Sequence, residues 1–136
     1  MSKDNLSSKI NSEIACCSDL LETLFGLGPT DVIVFYSLDE GVWKTVPEIS
    51  ELTGRESSTV YRSLQRLVNS GIAVRDVRTI RNGGYYYVYS LLSIERLSNL
   101  MSDKISSMTM GMEKLLNDLI SEMNSRKSYI SNREQN

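Results

Sequence analysis

The sequence predicts a mainly helical α+β protein: one helical domain carrying a two-stranded β-hairpin, with a long helix at each end. Three observations lead there. Between Pro47 and Ser70, two helical patterns follow one another across a short turn at Gly54. After Gly71, β-branched and aromatic residues stand on both sides of Asn82-Gly83-Gly84. At both ends of the chain, apolar residues recur at spacings of three and four, the stripe of an amphipathic helix.

The N-terminal stripe is Leu6, Ile10, Ile14, Cys17, Leu21 and Leu24. Ser2 or Asp4 suits its cap, and Gly26 with Gly28 ends it. Pro29 opens the next element, with Thr30 and Asp31 suited to a helix start. The run 32–38 is β-branched, but its place between Gly28-Pro29 and Gly41 favours a buried helix over a strand. Gly41 to Val46, with Trp43, is expected to hold a turn and one short strand. Pro47 is expected at the first position of a short helix whose apolar face is Ile49 and Leu52, with Glu48 and Glu51 at the dipole's favourable end and Gly54 as its stop.

From Ser57 to Ser70 the pattern is a longer helix, stopped by Gly71. Val60, Leu64, Leu67 and Val68 share its packing face; Ser58, Arg62, Gln65 and Asn69 lie opposite, flanked by Thr59, Tyr61 and Arg66. Ile72 to Thr79 alternates as a half-buried strand, and Tyr85 to Leu91 returns as a second one. Alternation predicts two of the tyrosines 85, 86, 87 and 89 packed on the helices and two half-exposed. Asn and Gly at 82–84 tolerate the positive φ of a tight turn. From about Ser93 the pattern is helical, with Met101, Ile105, Met108, Met112, Leu115 and Leu119 as a heptad-like seam. The expected segments are 1–28 (amphipathic helix), 29–91 (domain), 92–125 (dimerisation helix) and 126–136 (polar tail).

Composition narrows the function. Residues 54–90 hold six arginines against Glu56 and Asp76, a local charge of +4 in a chain of net charge −2. A basic helix followed by a basic hairpin, in an otherwise acidic protein, fits a polyanion, most simply duplex DNA. The chain has no histidine, and its two cysteines are the neighbours Cys16 and Cys17. His-based nucleophile devices are therefore excluded, and neither a metal site, a cofactor nor an enzymatic reaction is expected. No apolar run approaches the roughly 18 residues that span a bilayer, so the expectation is a cytoplasmic protein without a membrane partner.

The order helix, helix–turn–helix, strand, glycine-tipped wing, strand is that of a winged helix–turn–helix domain. Residues 47–91, with PEISELTGRESSTVYRSLQRLVNSGIA and RTIRNGGYYYVYSL, resemble the archaeal and bacterial regulators of the TrmB-like and MarR-like superfamily. The stretch STVYRSLQRLVNSG is the most specific part. The resemblance implies a transcriptional regulator whose helix 57–70 enters the major groove, while hairpin 80–84 reaches the minor groove or backbone. Ser57, Ser58, Thr59, Tyr61, Arg62, Gln65 and Arg66 would then face DNA, with Arg78 and Arg81 on the wing. One helix follows the wing where TrmB proteins proper carry a sugar-binding domain, so no small-molecule effector is carried over.

The residue chemistry suits that role. Arg62 can donate a bidentate pair to guanine and Gln65 can pair with adenine, while hydroxyls and Tyr61 can hold phosphates. The seam 101–119, with Leu21 and Leu24 from the N-terminal stripe, is expected to dimerise the protein, so that two recognition helices read a palindrome. Two alternatives remain open at this level: a winged-helix module that docks an acidic protein, and a redox-sensing DNA-binding regulator acting through Cys16 and Cys17.

Overall fold

The computed structural model describes residues 18–135 of the 136. Leu6, Ile10, Ile14 and Cys17 of the N-terminal stripe, and with them the Cys16–Cys17 pair, lie outside the described residues. The elements are α1 (described over 18–25), α2 (Pro29–Tyr36), α3 (Val46–Thr53), α4 (Ser57–Asn69), β1 (Ala73–Thr79), β2 (Tyr85–Leu91) and α5 (Ile94–Gln135). The chain divides into two units, the first ending at Ser98 and the second starting at Asn99 within α5.

In the first unit, α1 ends where Gly26 takes φ 68° and its N–H returns to Glu22 O at 2.7 Å. Leu21 and Leu24, expected to face a second subunit, are instead buried within the single chain at 3% and 8% exposure. The spacing that marks an apolar stripe does not say which surface covers it; here the chain covers these two itself. Pro29 starts α2 as expected, and the run 32–38 is helical to Tyr36, with Val32 and Val34 buried. Helix α3 begins one residue earlier than expected. Thr45 caps it by accepting the Glu48 N–H, and Pro47 falls in the first turn, where no N–H is missed.

The core of the first unit is built on Val34, Ile49, Val60, Leu64, Leu67 and Ile72, all without solvent exposure. These come from α2, α3, α4 and the turn into β1, so α4 is gripped along one whole face. Gly71, at φ 81°, ends α4 and turns the chain directly into the strand. β1 and β2 form an antiparallel pair in which Arg75 faces Tyr89 and Thr79 faces Tyr85. The segment before α3 touches the same sheet: Lys44 and Tyr89 exchange backbone hydrogen bonds of 2.9 and 2.8 Å. Only single bridges form there, where a short strand was expected.

Two features of the hairpin differ from a face-by-face reading. The loop spans Ile80–Gly84, and Gly83 and Gly84 alone supply the positive φ values, while Asn82 keeps negative φ. Burial also follows distance along the hairpin more than strand face. In β2, Tyr85 and Tyr86 are exposed at the tip, Tyr87 is half-buried, and Val88, Tyr89 and Ser90 are buried at the base. β1, expected to be half-buried, is buried only at Ala73. A hairpin that projects from its domain has no layer against its outer half, so alternation cannot hide either face there.

The second unit is the remainder of α5. The polar tail expected from residue 126 is helical as far as Gln135, and Glu122 pairs with Arg126 one turn away at 2.6 Å. Among the described residues, no helix is long and apolar enough to cross a membrane.

Leu64→Ala should empty a fully enclosed volume beneath α4. Denaturant unfolding is expected to show a loss of about 3 kcal/mol with an unchanged slope.

Candidate nucleic-acid interface

Helix α4 is anchored from within by a charged group. Asp31, 3% exposed on α2, accepts two hydrogen bonds from Arg66 Nε at 2.9 and 3.0 Å, and its Oδ1 lies 2.8 Å from Arg66 Nη2. The same carboxylate accepts the Ser63 hydroxyl at 2.6 Å and the Gly28 N–H at 3.1 Å. Burial alone would raise the Asp31 pKa. The hydrogen bonds from Arg66, Ser63 and Gly28, together with the Arg66 charge, outweigh it and hold the carboxyl below its ordinary value of 3.8. Arg66, read from sequence as a flank of the DNA-facing surface, thus bonds a buried acid of its own domain while its side chain stays 51% exposed. Ser63 and Asp31 did not stand out in the sequence; a buried carboxylate is visible there only as one more helix-start acid.

The opposite face of α4 is open. Ser57, Ser58 and Arg62 are exposed, and Tyr61 is 44% exposed, while Thr59 and Gln65 are half-buried. Gln65 Nε2 donates to Tyr61 Oη at 2.7 Å, which leaves its amide oxygen and second N–H available. No side chain caps the α4 N-terminus, so the first-turn N–H groups point outward with the positive end of the dipole.

The hairpin arginines divide by partner. Arg75 lies 4.5 Å from the Tyr87 ring centroid. Arg78 ion-pairs with Asp76 and lies 5.4 Å from the Trp43 ring. The Arg78 hydrogen bond, helped by the Val77 N–H, holds the exposed Asp76 carboxyl below the usual carboxylate range. Such a solvent-facing pair contributes little, so a phosphate can compete for Arg78. Arg66 is different, because leaving Asp31 would strand a buried carboxylate. Arg62 on α4 and Arg81 on the hairpin loop carry no ion pair or hydrogen bond among the described residues.

These two elements border one cleft. The corner Thr45–Pro47, Tyr61 of α4, and Tyr86, Tyr87 and Tyr89 of β2 wall it. Tyr61 of α4 and the β2 tyrosines therefore share one wall. Among the described residues, no group of three or more acidic, Cys or His side chains is placed to hold a metal ion.

A helix–turn–helix pair followed by a glycine-tipped two-stranded wing defines a winged helix–turn–helix protein. The family model described as "Sugar-specific transcriptional regulator TrmB" matches residues 21–95, and the chain belongs to that family of transcriptional regulators. It is similar to the uncharacterized protein MJ1503 of Methanocaldococcus jannaschii, 30% identical over 85% of this chain and 87% of that one. Among solved structures it resembles a possible transcriptional regulator from Methanosarcina mazei Go1, with TM-score 0.70, 23% identity, and 75% and 87% of the two chains covered. The ST1889 protein of Sulfolobus tokodaii is also similar, with TM-score 0.56, 20% identity, and 74% and 98% covered. These two structures share the fold.

Asp31→Asn is expected to lower stability at neutral pH by about 2 kcal/mol. The sign follows from the lowered pKa: the contribution is complete above 3.8 and disappears as pH falls through the folded-state value. Thermal melts of the two proteins should therefore converge as the pH drops below that range.

Proposed function

We propose that the protein binds duplex DNA as a homodimer, with α4 in the major groove and the hairpin loop on the minor groove or backbone. The observation that carries this reading is the division of arginines on one surface of a transcriptional-regulator fold. Arg66 is held by the buried Asp31 carboxylate through Nε and Nη2, with its side chain 51% exposed. Arg62 and Arg81 stay uncommitted on the helix and the loop.

In this reading Arg62 and Gln65 face base edges. Ser57, Ser58, Thr59, Tyr61 and the α4 N-terminus hold phosphates. Arg81 and Arg78 supply salt-dependent affinity from the wing, the latter by exchanging Asp76 for a phosphate.

The dimer rests on α5. Ile105, Met108, Met112, Leu115 and Leu119 are exposed in the single chain, at 38% to 68%, and Met101 is half-buried. A long row of uncovered apolar side chains on one helix favours burial against a second copy. The seam is interrupted at its next two positions, Glu122 and Arg126, which pair with each other. The segmentation follows the same logic, with residues 29–91 binding DNA and the helix from 92 onward holding the two copies together.

Fluorescence anisotropy on random-sequence duplex DNA across a salt series tests the binding face. Affinity should fall steeply with salt, and Arg81→Ala should reduce the log–log slope by about 1. Arg62→Ala should cost about 1–3 kcal/mol on an operator and relax the preference at one base position. Salt-independent binding, or none to any duplex, would point to an acidic protein as the partner of this face.

Light scattering on the eluting protein tests the dimer. Twice the chain mass is expected for the wild type, and the single-chain mass for Ile105→Glu/Leu115→Glu.

A further inference from the structure

The apolar side chains of α5 also repeat with a period other than seven. Ile94, Leu97 and Met101 are followed eleven residues later by Ile105, Met108 and Met112, and after eleven more by Leu116, Leu119 and Met123. Ile130 stands eleven residues beyond Leu119. Counted this way the row does not stop at Glu122. Glu122 falls in a column with Leu100 and Gly111, and Arg126 in one with Lys104 and Leu115, both beside the row. Leu115, a seam position when residues are counted in sevens, thus shares its column with two cations.

The two periods imply different packing. Seven residues fall roughly 20° short of two turns of a straight helix, so a seven-residue row wraps to the left. Eleven residues overshoot three turns by roughly 20°, so that row drifts the other way, and more slowly per residue. Helix α5 is continuous from Ile94 to Gln135. From Ile105 to Ile130 the eleven-residue row covers roughly 40 Å at the rise of an α-helix. Its seven side chains over that length are 38% to 67% exposed and together present on the order of 800 Å², about what one partner buries in a standard interface.

We propose that α5 pairs with the α5 of a second copy along this eleven-residue row, nearly straight and with a slight right-handed wrap, in contact as far as Ile130. The partner follows from the period. A row that drifts at a given rate stays in contact over such a length only with a row that drifts at the same rate, and an identical helix supplies one. A partner built on sevens wraps the opposite way and diverges from it. The row positions from Met101 to Met123 are all apolar, so they fit an apolar face like their own, and a two-fold axis presents the same patch from both copies. The proposal rests on the dimer proposed above and redraws its contact: Leu116, Met123 and Ile130 enter it, and Leu115 moves to its rim.

Sedimentation equilibrium on the full chain tests this, with single glutamates at side chains already exposed in the single chain, where they cost its own fold little. Leu116→Glu and Met123→Glu should each raise the dimer dissociation constant by about tenfold or more. Leu115→Glu should cost less than either. Met110→Glu, on the opposite side of the helix, should leave dimerisation unchanged and is the control for adding a glutamate to α5. If Met123→Glu dimerises as tightly as Met110→Glu, or Leu115→Glu costs more than Leu116→Glu, the eleven-residue contact is overturned and the dimer returns to the seven-residue seam. A wild-type protein that stays at the single-chain mass at every concentration would instead overturn the dimer itself, and this contact with it.

Discussion

The buried carboxylate of Asp31 is the constraint on which the geometry of this protein depends. It satisfies the Gly28 N–H at the start of α2 and the Ser63 hydroxyl on the inner face of α4, and it holds the Arg66 guanidinium at the edge of that face. Hydrophobic packing through Val60, Leu64 and Leu67 can hold α4 against the domain, but such packing tolerates sliding and rotation. A carboxylate with four donors does not, because any shift leaves a desolvated charge short of partners. The inner lock sets the rotation of α4 about its axis, and so decides that Arg62 and Tyr61 are the residues presented outward.

The same logic of partner choice separates the arginines, which in composition look alike. A basic residue beside a buried acid is held in place by it, as Arg66 is, even with half of its side chain exposed. One beside an exposed acid, as Arg78 is beside Asp76, stays exchangeable, since water already weakens the pair. Among the described residues Arg55, Arg62 and Arg81 have no ion pair, and Arg75 has only a ring contact; these are the cations for which a polyanion is the best available partner. Of the local excess of positive charge in residues 54–90, the Arg66 charge is offset by Asp31 from outside that stretch.

The hairpin and α5 show two ways in which an element outgrows its domain. The hairpin leaves its tip tyrosines exposed while its base is clamped by the Lys44–Tyr89 bridge and by Val88 and Ser90. That arrangement gives the wing reach without loosening its root, and it opens the tyrosine-walled cleft beside α4. Helix α5 carries a regular row of exposed apolar side chains, interrupted by the Glu122–Arg126 pair.

The order of elements was legible in the sequence because it depends on local rules. Glycine at 26, 54 and 71 can take the left-handed turn that ends a helix, and proline at 29 and 47 lies in a first helical turn. The apolar spacing of α4 and α5 reports helical period directly, and Gly83-Gly84 reports the hairpin. In the exposed half of the candidate interface, Ser58, Tyr61 and Arg62 followed from the same periodicity, and Ser57 and Arg81 from the resemblance to winged helix–turn–helix regulators. What periodicity cannot carry is the identity of the surface that meets each stripe. Leu21 and Leu24 have the spacing of an interface and are buried in their own chain; Arg66 has the position of a contact residue and is bound to Asp31, 35 residues away. Strand alternation likewise presumes a layer on one face, and the projecting half of the hairpin has none. Local backbone preferences and side-chain period were thus determined by the sequence alone. Which charges meet a buried partner, and which tyrosine is sealed, was decided only by tertiary packing, because both depend on contacts between residues far apart in the chain.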